Sequence, residues 1–127
     1  MNQGIEQYFN AVELQLLQSV AITNYQIIRR EIGPTDGKLR LKATLTGGGL
    51  AEMFEYVTEA NGAIESAKYS FHWQDEQGNL KKRWDNAPHF PNLLHAPHHV
   101  HLEDGSVQGM SHIPDMRYAL QQIEQAL

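Results

Sequence analysis

The 127-residue sequence contains no cysteine. That excludes a disulfide framework, a Cys-type structural zinc site and a thiol nucleophile. No apolar run approaches the roughly 20 residues that cross a bilayer. The opening residues 1–14 lack the basic region and continuous apolar stretch of a signal peptide. Positive charge is not in surplus either. Ten Lys and Arg against 15 Asp and Glu leave a formal net charge of -5 with histidine neutral, which argues against a general nucleic-acid coat protein. There is no internal repeat and no linker, so one domain over residues 1–127 is expected, acting in the cytoplasm. Histidine, by contrast, is abundant: there are seven, and five fall between His89 and His101.

The N-terminal segment has helical periodicity. Ile5, Tyr8, Phe9, Val12, Leu16 and Val20 fall at i, i+3, i+4 spacing, with Asn24 as an expected stop. From Tyr25 to Ile32 the composition favours a strand. Leu39, Leu41, Ala43 and Leu45 then alternate with Lys38, Arg40, Lys42 and Thr44, the pattern of a strand with one wet face. Gly47-Gly48-Gly49 ends it. Residues 50–59 and 63–74 read as a hairpin closed by Asn61-Gly62, whose turn type needs positive φ at both positions. Tyr69, Phe71 and Trp73 share one face of its second strand, and Ser70, His72 and Gln74 the other. Residues 80–85 return as a fifth strand.

Residues 86–105 read as a long histidine-rich loop, because Pro88, Pro91 and Pro97 deny it a helix or a central strand. A short strand around 106–110 follows. Pro114 then suits the first position of a final helix, with Ile113, Met116, Leu120, Ile123 and Leu127 as its apolar seam. The expected fold class is α+β: an N-terminal helix, an antiparallel meander of about five strands, a long histidine-rich loop, and a C-terminal helix packed on the sheet.

If His99-Val100-His101 is extended, His99 and His101 project to one side, about 6.5–7 Å apart along the chain, and His98 to the other. Such a pair can flank a phosphate as acid and base, since imidazole titrates near neutrality. Arg83 can clamp that phosphate, and Asp85 can orient Arg83 or a histidine. His72 and His89 are further catalytic candidates. The same His99 and His101 can instead hold a divalent transition metal with Asp85.

Each residue also has a plainer use. Trp73 and Trp84 can stack on a base or simply fill the core. Arg83 and Asp85 can be a surface ion pair, and residues 85–88 an Asx turn. Glu55 is a solvent-face carboxylate or an inward acid near Arg83. The Lys38, Arg40 and Lys42 stripe is a wet sheet face or a phosphate track.

Three segments together resemble the TumE-type toxins of bacterial and archaeal toxin–antitoxin systems. They are Tyr69-Ser-Phe-His72-Trp73, Arg83-Trp-Asp-Asn-Ala-Pro-His89 and Pro97-His-His-Val-His101, preceded by a glycine-led strand from Gly49 to Glu55. The resemblance spans about residues 38–125. Phe90 stands where the family often has a second histidine. The resemblance implies a small toxin encoded beside a helix-turn-helix antitoxin, with ribonuclease action on RNA. A metal-dependent hydrolase and a non-catalytic binding module remain as alternatives. The module would use the long loop or the C-terminal seam, which could also carry a homodimer.

Overall fold

The computed structural model describes residues 1–127. Helix α1 runs Gln3–Gln18, and the Asn2 side chain caps it by accepting from the Ile5 amide at 3.0 Å. Ile5, Phe9, Val12 and Leu16 form its buried stripe. The helix ends six residues earlier than the expected stop at Asn24. The Ser19 hydroxyl accepts from the Ala21 amide at 3.2 Å, a local bond that competes with the helical ladder. Val20, expected on the stripe, is therefore 84% exposed.

The strands are β1 (Ile22–Ile32), β2 (Asp36–Leu45), β3 (Leu50–Ala60), β4 (Ala63–Gln74), β5 (Leu80–Asp85), β6 (His99–Leu102) and β7 (Val107–Gly109). They form one antiparallel meander in the order β1-β2-β3-β4-β5-β6-β7. The class and the meander agree with expectation, but there are seven strands and not five. The difference lies mainly in residues 86–105. All three prolines of that segment precede His98, so the following backbone keeps its N–H groups and pairs with β5. β6 and β7 are only four and three residues long. The hairpin turn is as expected, with φ 54° at Asn61 and 79° at Gly62.

Helix α2 is Met116–Ala126. Its cap is Asp115, which accepts from the Tyr118 amide at 2.8 Å, so Pro114 lies before the cap and not inside the helix. Met116, Ala119, Leu120 and Ile123 are buried, whereas Ile113 and Leu127 are exposed. The middle of the seam therefore faces the core, and its two ends, Ile113 and Leu127, face outward.

Both helices pack on one face of the sheet. There they cover Leu39, Leu41, Met53, Tyr69, Phe71 and Trp84 within a single buried cluster. Trp73 and Trp84 are core residues, and Trp84 meets Tyr118 edge-on at 6.2 Å between ring centroids. The opposite face has no helix. Its side chains alternate with the core set, as period two requires.

Candidate functional site

The helix-free face gathers the candidates because of strand register. Arg40 pairs with Phe54, Phe54 with Ser70, Ser70 with Asp85, Asp85 with His99, and His99 with Gly109. The neighbouring row reads Lys42, Glu52, His72, Arg83, His101 and Val107. Directly paired residues share a face, so Asp85, His99, His101, Arg83 and His72 all meet on the open side.

Asp85 is the hub. It is 5% exposed, and its carboxylate has several neighbours. Oδ1 lies 2.9 Å from His99 Nε2 and accepts from the Ala87 amide at 3.0 Å, which makes the expected Asx turn. Oδ2 lies 3.3 Å from both Arg83 Nε and His101 Nε2. The two imidazoles are 3.2 Å apart, Nε2 to Nε2. His99 Nδ1 sits 2.8 Å from the Pro97 carbonyl. A carbonyl only accepts, so Nδ1 carries the proton there and Nε2 turns toward Asp85 and His101. Burial holds the His101 imidazole below its usual range, against the pull of the Asp85 charge.

The segment 86–98 roofs this cluster. Phe90 packs edge-on to His99 and His101 at 5.1 and 5.8 Å between ring centroids. Gly109 makes the fit possible: a Cβ there would lie 1.8 Å from the Leu94 carbonyl oxygen, so only glycine lets the loop settle on β7. Nothing in the sequence marked Gly109. His99 is 2% exposed, but His101 and Arg83 line an open cavity of about 580 Å³ with Lys68, Ser70, Asp85 and His89.

A family model, that of the toxin TumE, matches residues 12–127. The chain belongs to the TumE toxin family. No curated protein and no solved structure matches it. The family match begins within α1, well before the motifs that carry the resemblance in the sequence. No helix of this TumE-family protein is long and apolar enough to cross a membrane.

The other candidates sit farther from the hub. His72 Nδ1 lies 3.5 Å from Arg83 Nη1, and its Nε2 2.9 Å from Gln74 Oε1. His89 is exposed on the cavity wall. His95 is exposed in the roofing segment and does not join the cluster. His98 points to the core side, where its Nδ1 meets the Tyr69 hydroxyl at 2.8 Å. Glu55 is the main departure from the sequence reading. It is inward and fully buried, yet its partner is the Tyr8 hydroxyl, which donates to Oε1 at 2.5 Å, and not Arg83. Its Oε2 has no hydrogen-bond partner. Burial pushes its carboxyl up to about 7.

Asp85, His99 and His101 each offer one ligand atom, and all lie within 4.8 Å of one another. Two imidazoles and a carboxylate suit zinc, manganese or iron with open positions left for water or substrate. The His99 contact with the Pro97 carbonyl would hold that ring in place toward an ion.

Proposed function

We propose that this TumE-family chain is an endoribonuclease toxin whose working groups are His101 and Arg83, with Asp85 and His99 behind them. The observation that carries the reading is that His101 and Arg83 share one open cavity while Asp85 contacts both. Arg83 binds the scissile phosphate and stabilises charge as it develops. His101 takes the 2′-hydroxyl proton, O2′ attacks phosphorus, and the 5′-oxygen leaves with a proton from a second group. His89, on the cavity wall, is the candidate for that second group, and His72 is the alternative through its contact with Arg83. His99 is roofed by Phe90, so it acts through Asp85 and His101 as a positioning residue.

The natural partner is a helix-turn-helix antitoxin that silences the activity in the cytoplasm, as the resemblance implies. In the test, total RNA is incubated with the protein and with a His99→Ala/His101→Ala double variant. Cleavage by the first and a loss of at least about 100-fold in the second are expected. Equal cleavage by both, or none by either, overturns the proposal.

The three converging ligand atoms favour a second reading, a metal-dependent hydrolase at the same centre. A bound ion there would polarise a phosphoryl oxygen or supply a hydroxide. Elemental analysis of untagged protein separates the two. A stoichiometric transition metal, lost together with activity on chelation, selects the metal reading; full activity in chelator selects the acid–base one.

A further inference from the structure

The helix-free face carries more than the catalytic candidates. Phe54 and Tyr56 stand half-buried on it, two residues apart on β3. A wet strand face ordinarily carries polar side chains, so two large aromatics there are unusual. Each has a cation above its ring. The Arg40 guanidinium carbon lies 4.5 Å from the Phe54 centroid, and Lys38 Nζ lies 5.7 Å from that of Tyr56. The Tyr56 hydroxyl donates to Asp36 Oδ2 at 2.8 Å, which fixes that ring in place. Lys42 extends the basic edge, paired loosely with Glu52 at 3.8 Å.

Register ties this patch to the catalytic centre. Phe54 is in line with Ser70, Asp85 and His99, and Tyr56 with Lys68. Strands about 4.8 Å apart put Phe54 roughly 10 Å from Asp85 and roughly 14 Å from His99. Ser70 and Lys68 lie between and also line the cavity that holds His101 and Arg83. The aromatic patch and the cavity are thus continuous along one surface.

We infer that Phe54 and Tyr56 form a stacking platform, with Arg40, Lys38 and Lys42 as phosphate contacts, that binds single-stranded RNA and leads it into the His101–Arg83 cavity. This rests on the ribonuclease reading for its direction, but the platform is argued from its own residues. Unpaired bases expose π-faces, which stack on aromatic rings and on arginine planes. A duplex hides those faces, and its deep major groove admits no side chains. Few cations are involved, so binding depends on stacking as much as on charge.

The test separates binding from cleavage by using a labelled 2′-O-methyl oligoribonucleotide, which has no free 2′-hydroxyl to attack. Its anisotropy is read with the wild-type chain, with Phe54→Ala/Tyr56→Ala and with Arg40→Gln. Arg40 is exposed, so that variant keeps the fold even if the double variant does not. The aromatic variant should bind about tenfold more weakly or worse. Arg40→Gln should lower the slope of log K against log salt by about 0.7. A duplex of the same sequence should bind at least about tenfold more weakly than the single strand. Equal binding by all three proteins, duplex binding as tight as the strand, or no binding at low salt overturns the platform. Binding in the expected pattern without any RNA cleavage keeps the platform and removes the ribonuclease reading. Cleavage at full rate and unchanged KM in the Arg40 and aromatic variants does the reverse.

Discussion

Asp85→Ala should abolish RNA cleavage, with a loss of at least about 100-fold, and lower stability by about 2–4 kcal/mol. The carboxylate has four neighbours to leave unpaired: the Ala87 amide, both Nε2 atoms of His99 and His101, and Arg83 Nε. His99 is nearly closed to water and gains no solvent partner in exchange, whereas Arg83 and His101 can turn to water in the cavity. Asp85→Asn is the informative companion. Its side-chain oxygen can still accept from Ala87 and keep the turn, but the charge that faces the histidines and Arg83 is gone. Asparagine should therefore recover most of the stability and little of the activity. Urea melts and cleavage of a defined RNA by the three proteins decide it. An alanine variant as stable and active as wild type would show that the cluster is incidental.

Glu55→Gln should make the protein more stable above neutral pH. The wild-type carboxyl titrates near 7 against an ordinary 4.5, because burial opposes its charge. The folded state thus holds the proton more tightly than the unfolded one. The stability this contributes is complete below pH 4.5 and is lost as pH rises through 7. A difference of that size corresponds to about 3 kcal/mol at pH 8–9. Glutamine resembles the protonated form and cannot ionise. The Tyr8 hydroxyl also contacts the carboxyl, and the nearby Asp115 charge adds to its upward shift. His98 and His101, both lowered by burial, oppose the trend in the wild type. The gap between variant and wild type cancels their effect. Thermal melts from pH 5 to 9 should show near-equal Tm at pH 5 and a gap of several degrees by pH 9. A constant gap, or one that narrows, would show that Glu55 is charged throughout.

Much of the scaffold was legible because its signals are local. Alternation over Leu39 to Leu45 and over Tyr69 to Trp73 identified strands and their buried faces. Asn61-Gly62 identified a hairpin from backbone sterics alone. The pairing of His99 with His101 on one side of an extended segment, and His98 on the other, followed from period two. The ends of elements were less legible. Ser19 stopped α1, and Asp115 displaced Pro114 from the start of α2, through side-chain bonds to the backbone.

The α+β class, the order of the first five strands, the core faces and the family motifs are all readable from residue order, because each is written in neighbouring residues. The folded chain is needed to see that Asp85 lies against both histidines, that Glu55 turns inward to Tyr8, and that Gly109 seats the loop over the site. It alone placed Phe54 in line with His99 across the intervening strands. Register accounts for the difference. Which residues of two strands stand opposite each other depends on turn lengths and bulges summed along the chain, and a one-residue slip would move a whole set to the other face.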